Sequence, residues 1–155
     1  MKCALAIVSL LLSCGDPRMP DNGPPRRPSQ IKSGERFRLE LSRKGCFGPC
    51  PQYDLVVSSD GAAILNARRY MPLEGSATAQ LNPGYLRRIV REAQFNSAQC
   101  AVIIPDAEVI RLMVIDGSSR HSVECSLAGS QTASLSALVA EIHAVVLQAS
   151  WVHKS

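Results

Sequence analysis

The sequence predicts an α+β domain, in which an antiparallel sheet of about five strands carries two helices on one face. Two segments read as strand, turn and strand, and each has an Asp-Gly pair in its turn, which is typical of a hairpin. A segment with apolar residues at spacings of three and four follows each hairpin, and this spacing predicts a helix. Consecutive hairpins separated by helices favour an antiparallel sheet, because neighbouring strands then need only short connections.

The first three elements are strands. Apolar and charged residues alternate from Phe37 to Leu41, as expected of a strand with one buried face. A second strand is predicted over Tyr53–Ser58 and a third over Ala62–Tyr70, with the first Asp-Gly turn between them.

The remaining elements are a helix, a second hairpin and a second helix. Asn82 and Pro83 are typical of an N-cap and a first helical turn. The second hairpin is predicted over Val109–Ile115 and Arg120–Ser126, and the last helix begins near 132–134. The apolar stripes are Leu86, Ile89, Val90 and Ala93 in the first helix, and Leu135, Leu138, Val139, Ile142, Val145 and Val146 in the second.

The N-terminus has the pattern of an export signal. Lys2 precedes an apolar run over 4–12, about half the length of ~20 residues that a membrane-spanning helix needs, so residues 1–13 are predicted to be a signal peptide. Leu11-Leu12-Ser13-Cys14 resembles the bacterial lipobox, which implies cleavage after Ser13 and a diacylglycerol on the Cys14 thiol. The alternative is an ordinary secretory signal that leaves Cys14 as an odd thiol.

Residues 14–34 are predicted to be a lipidated cysteine and a Pro-rich tether, since they hold five of the ten prolines. Residues 35–155 form the single predicted domain, which has 12 basic and 11 acidic residues and therefore gives no indication of a nucleic-acid partner. We expect a monomeric domain that is exported and attached to a bacterial membrane by lipid. In a cell with two membranes, this is the outer membrane facing the periplasm.

The most distinctive segment is Gly45–Tyr53, in which two cysteines stand four residues apart with Gly and Pro between them. An oxidising compartment favours a disulfide between such neighbours. Setting aside Cys3 and Cys14 leaves four cysteines, which allow three pairings. The sequence closeness of the first pair favours one of them: Cys46–Cys50 with Cys100–Cys125.

The order Gly-Cys-Phe-Gly-x-Cys-Pro-x-Tyr, strand, Asp-Gly, strand resembles the bacterial family called domain of unknown function 6438. The resemblance extends over roughly residues 37–152. It implies an exported α+β domain, often lipid-anchored, and it carries over no catalytic residue.

Two chemical alternatives involve the same cysteines. The spacing of Cys46 and Cys50 also resembles the copper site of thioredoxin-like copper chaperones, with His121 or His143 as a third ligand. Thiol–disulfide exchange is the other alternative, although the spacing is not Cys-x-x-Cys.

The chain has no Gly-x-Ser-x-Gly elbow, no paired-histidine metal motif and no phosphate-binding loop, so no catalytic residue and no cofactor are predicted. The leading hypothesis is a lipid-anchored cell-envelope protein that acts as a non-enzymatic interaction or assembly module for another envelope protein. The alternative hypothesis is an envelope copper-binding or thiol-redox protein centred on the cysteine loop.

Overall fold

The computed structural model describes residues 36–94, 100, 104–128 and 133–153. The predicted signal peptide, the Cys14 lipidation site and the predicted tether therefore lie outside the described residues. Within the described part, the chain forms a seven-stranded antiparallel sheet and two helices. The α+β prediction is confirmed, and the prediction of about five strands is too low.

The elements follow one another as β1 (Phe37–Lys44), β2 (Gln52–Ser58), β3 (Ala62–Arg69), β4 (Gly75–Gln80), α1 (Pro83–Ala93), β5 (Val109–Asp116), β6 (Ser119–Ser126), α2 (Ala133–Gln148) and β7 (Val152–His153).

Two of these strands, β4 and β7, were not predicted. In β4 only Ala77 is buried, so the strand lacks large apolar residues at alternate positions and is formed by pairing with β3. β7 has two residues, which is too short for a sequence pattern, and it pairs with Ala77 and Thr78 of β4. Before it, the Trp151 indole N–H donates to the Val146 carbonyl at 2.7 Å, at the end of α2.

The order of strands across the sheet is β6-β5-β1-β2-β3-β4-β7. The first four strands form a meander, and the connection through α1 then places β5 on the free side of β1. β6 returns beside β5, and the connection through α2 places β7 beside β4. The first strand of the domain is therefore central in the sheet, with β2 and β5 on its two sides.

The core lies on one face of the sheet. Alternate residues of β1, β2, β3 and β5 are buried, and they form one apolar cluster with residues of both helices. The Asn82 side chain accepts a hydrogen bond from the Tyr85 backbone N–H at 3.0 Å, which confirms the predicted N-cap of α1. The inward-facing helix residues are Leu86 and Ile89 in α1, and Leu135, Leu138, Val139, Ile142 and Val146 in α2.

The two predicted Asp-Gly turns join β2 to β3 and β5 to β6, and both glycines have a positive φ. At Gly61, with φ 85°, a Cβ atom would lie 2.4 Å from the Leu81 carbonyl oxygen, so only glycine fits. Among the described residues, neither helix has the length and apolar character required to cross a membrane.

Candidate functional site

The Gly45–Tyr53 motif forms the connection between β1 and β2, and a disulfide between Cys46 and Cys50 closes this loop. The two Cα atoms are 5.7 Å apart, within the usual range for a disulfide. The prediction that the domain contains disulfide bonds is confirmed. The loop lies at the end of the sheet opposite to Phe37, where the described domain begins.

Two backbone hydrogen bonds hold the loop. The Phe47 N–H donates to the Asp106 carbonyl at 3.0 Å, which fixes the loop to the segment before β5. Within the loop, the Gly48 N–H donates to the Cys46 carbonyl at 2.9 Å. The disulfide and these bonds constrain the backbone on both sides of the Phe47 side chain.

The Phe47 side chain projects from this constrained loop and is 91% exposed. Two further large side chains are exposed at the same end of the sheet. Tyr70 directly follows β3, whose last residue pairs with Gln52, and Ile104 donates its N–H to the Ser126 hydroxyl at the end of β6. The loop end of the sheet therefore exposes an aromatic side chain on a fixed backbone, with other apolar groups at its margin.

Below the loop, Arg43 of β1 and Glu108 form an ion pair with an N–O distance of 2.5 Å. Their side chains are only 9% and 15% exposed. Burial works to lower the pKa of Arg43, but the hydrogen bond to Glu108 and the interaction with Tyr53 leave that pKa raised above its usual value. The pair joins β1 to the same 104–108 segment that accepts the hydrogen bond of Phe47.

Two aromatic side chains complete this buried cluster. The Tyr53 and His143 rings stack at a centroid distance of 5.6 Å, and the Arg43 guanidinium lies 5.6 Å from the Tyr53 ring centre. Burial raises the pKa of Tyr53 to about 12, against the opposing charge of Arg43. Burial and the same positive charge lower the pKa of His143.

The buried cluster has two polar atoms without a hydrogen-bond partner among the described residues, the Tyr53 hydroxyl and His143 Nδ1. A buried hydroxyl without an acceptor lowers the free energy of unfolding, because it has lost its hydrogen bonds to water without replacement. The described contacts of this cluster thus give it a structural role in seating the loop.

The second disulfide joins Cys100 to Cys125, with Cα atoms 5.1 Å apart. It ties the connection between α1 and β5 to the edge strand β6. Cys125 is 1% exposed, whereas Cys46 and Cys50 are partly exposed, so the two disulfides differ in their access to solvent.

The structure does not bring His121 to the cysteine loop. Lys44, two residues before Cys46, pairs with Val109, whereas His121 pairs with Val114, five residues further along β5. At a rise of about 3.3 Å per residue, this separates them by about 17 Å along the sheet. His143 lies on α2 in the cluster described above, stacked on Tyr53. No three His, Cys, Asp or Glu side chains of the described ranges are grouped closely enough to hold a metal ion.

Sequence reasoning identified the cysteine loop but missed its buried support. Arg43 continues the alternation of Phe37, Leu39 and Leu41, so the pattern itself would have placed this arginine on the buried face. No sequence pattern indicates that Phe47 is exposed, because its exposure depends on the position of the loop against Asp106.

A family model described as Domain of unknown function (DUF6438) matches residues 37–146. This range contains the cysteine loop, both disulfides, the buried cluster and nearly the whole described fold. No match is found among curated proteins.

Proposed function

The chain belongs to the family Domain of unknown function (DUF6438), and we propose that it is an exported, lipid-anchored cell-envelope protein whose domain is a non-enzymatic interaction module. In this proposal, the Cys46–Cys50 loop is the contact site and Phe47 is its central side chain. The partner is another envelope protein with an apolar pocket that accepts an aromatic ring.

The observation that carries this proposal is the 91% exposure of Phe47 on a backbone held by a disulfide. Burial of a phenylalanine side chain is favourable by about 1.5–3 kcal/mol. Binding a loop that is already ordered costs little conformational entropy, so more of this free energy is available for affinity. Phenylalanine is among the aromatic residues that are enriched in the cores of protein–protein interfaces.

The position of the loop also supports the proposal. The chain enters the described domain at Arg36, and β1 has eight residues, a length of about 26 Å at about 3.3 Å per residue. The loop thus lies at the far end of the sheet from the point where the chain enters. In a chain anchored at Cys14, a Pro-rich tether of about 20 residues at about 3 Å each would hold the domain tens of ångströms from the bilayer.

Site-specific photo-cross-linking in cells tests the contact site. A photoreactive phenylalanine analogue replaces Phe47 in the full-length chain. The matched control carries the analogue at Ile64 of β3, which is 40% exposed and faces away from the apolar core. We expect a discrete adduct from position 47 and none from position 64. Adducts of equal yield at both positions, or adducts at position 64 alone, contradict the proposed site.

The lipid anchor needs its own test, because it rests on the sequence alone. We expect the protein to incorporate labelled palmitate, to accumulate as a precursor in globomycin, and to fractionate with membranes. Cys14→Ala should abolish the label and prevent cleavage after Ser13. A Cys14→Ala protein that is still labelled and membrane-bound contradicts lipidation, and an unlabelled, soluble wild-type protein indicates an ordinary secretory signal.

The partial exposure of Cys46 and Cys50 favours one second candidate, a thiol-redox function for the same loop. Disulfides with a structural role have reduction potentials below about −300 mV, whereas those of redox proteins lie at about −270 to −120 mV. Equilibration of the protein with glutathione or dithiothreitol buffers, followed by mass spectrometry of the Cys46–Cys50 peptide, measures this potential.

The copper form of this candidate would need a third ligand other than His121. Absence of stoichiometric Cu(I) binding to the reduced protein would eliminate the copper-binding function.

A further inference from the structure

The strand β6 forms one edge of the sheet, and no described residue pairs with its outer side. It pairs with β5 without a bulge from Ser119 to Ser126 and contains no proline, and its charged residues are Arg120 and Glu124. Its first four residues, Ser119–Ser122, are exposed. At the opposite edge, β7 has only two residues. β6 is therefore the longer and more regular of the two edges.

The direction of the free backbone groups follows from the hairpin. Asp116 and Ser119 flank a two-residue turn, so they form the first hydrogen-bonded pair, and hydrogen-bonded pairs then alternate along the ladder. By this alternation, His121 and Val123 direct their backbone groups toward β5. Arg120, Ser122 and Glu124 direct their N–H and C=O groups outward, where an added strand would meet them.

A pocket of about 530 Å³ lies beside the exposed half of β6. Its lining includes Val90 of α1, Gln94 directly after that helix, Val114 and Asp116 of β5, and His121 of β6. His121 is on the same face of the strand as the buried residues Val123 and Cys125. Paired residues of neighbouring strands have their side chains on the same face, so alternate side chains of an added strand would point toward this pocket.

The charge around this edge is positive. The Asp116 carboxylate binds both Arg87, at 3.1 Å, and Arg91, at 2.7 Å, so two guanidinium groups share one carboxylate. On the opposite face of the sheet, Arg120 is an exposed positive charge on β6 itself, and the nearby Glu124 carboxylate binds both Lys44 and Arg111. Arg36 is close as well, because its carbonyl accepts the Gly117 N–H at 2.7 Å.

We propose that the exposed half of β6 and the adjacent pocket bind an extended peptide segment of another protein, in which apolar side chains alternate with acidic ones. The peptide adds a strand to the sheet through the outward backbone groups of β6. Its apolar side chains enter the pocket on the helix-covered side, and its acidic side chains, on the opposite face of the sheet, lie near Arg120. Backbone pairing supplies affinity and the pocket supplies specificity, as in other cases of strand addition.

The test uses two capped hexapeptides, one of alternating Glu and Val and one of alternating Lys and Val, titrated into ¹⁵N-labelled protein. We expect the Glu/Val peptide to shift the amide signals of Arg120, Ser122 and Glu124 and to bind at least ~10-fold more tightly than the Lys/Val peptide. Ser122→Pro should abolish binding because it removes an outward N–H, and Ser122→Ala, which keeps it, should retain binding.

Arg120→Glu is a second variant in case Ser122→Pro does not fold. Because Arg120 is exposed, this substitution should not disturb folding. It reverses the charge beside the peptide, so it should weaken binding of the Glu/Val peptide and strengthen binding of the Lys/Val peptide. Shifts confined to the Cys46–Cys50 loop, equal affinities for the two peptides, or no shifts at the highest soluble concentration each overturn the proposal. Phe47→Ala should leave peptide binding unchanged, so the result is independent of the function proposed for the loop.

Discussion

Replacing Glu108 by leucine would leave the Arg43 guanidinium without its carboxylate in a place that is largely closed to water. The two side chains are 9% and 15% exposed, so solvent compensates little for the lost partner. At a charge separation of about 4 Å and an effective dielectric constant of about 20, the attraction is about 4 kcal/mol. Removal of one member of a buried pair typically costs about 3–5 kcal/mol. We expect Glu108→Leu to lower the free energy of unfolding by this amount.

The double variant distinguishes a coupled pair from two unrelated losses. Arg43→Met alone leaves Glu108 buried without a counter-charge and should also cost about 3–5 kcal/mol. Arg43→Met combined with Glu108→Leu removes both charges and should lie within about 1 kcal/mol of the wild type, since apolar replacements of buried pairs are often neutral. The coupling free energy should therefore exceed about 3 kcal/mol.

Urea unfolding at pH 7, followed by circular dichroism, measures all four proteins. Arg111→Met is the matched control, because Arg111 pairs with Glu124 at 2.8 Å but its side chain is 59% exposed. The control should change stability by less than about 1 kcal/mol. A double variant whose loss equals the sum of the two single losses would refute the argument, since Arg43 and Glu108 would then not stabilise each other.

Three further predictions concern the same end of the sheet. Tyr53→Phe removes a buried hydroxyl that has no described partner, so stability measured by thermal unfolding should be unchanged or higher by up to about 1 kcal/mol; a large loss would show that the hydroxyl has a partner. The pKa of His143 is lowered in the folded protein, so His143 contributes stability above pH 6.5, its approximate pKa in the unfolded chain, and this stability is lost as pH falls through the folded pKa. His143→Gln should therefore reduce the fall in the free energy of unfolding between pH 7.5 and pH 5. An unchanged dependence of this free energy on pH would contradict the prediction. The Cys100–Cys125 bond joins residues 25 apart and the Cys46–Cys50 bond residues 4 apart. Removal of these bonds by paired Cys→Ala substitutions should therefore cost about 3.5 and about 2 kcal/mol, respectively, in urea unfolding. The reverse order would contradict the loop-entropy argument.

The fold could be predicted where a local pattern records burial. β1, the two Asp-Gly hairpins and both helices have periodic apolar residues, and all of them occur in the structure. β4 could not be predicted in this way, because Ala77 is its one buried residue and the strand depends on a partner outside its own sequence. The same reason applies to β7, which pairs with β4.

The candidate site was predictable in its covalent part and hidden in the rest. Cys46 and Cys50 are neighbours in sequence, so their disulfide is a local property. Arg43 and Glu108 are 65 residues apart, and no local pattern indicates that β5 returns to the side of β1. The exposure of Phe47 likewise depends on Asp106, which lies at the loop because β5 pairs with β1.

The central position of β1 has a mechanical consequence. β1 is hydrogen-bonded to β2 on one side and to β5 on the other, and these bonds run across the strand. A force that pulls the chain at Arg36, while a partner holds the Cys46–Cys50 loop, acts at the two ends of β1, so the covalent backbone of this one strand carries the tension. The ladders to β2 and β5 are therefore not pulled apart. A domain connected in this way transmits tension from its point of entry to its loop without losing its fold.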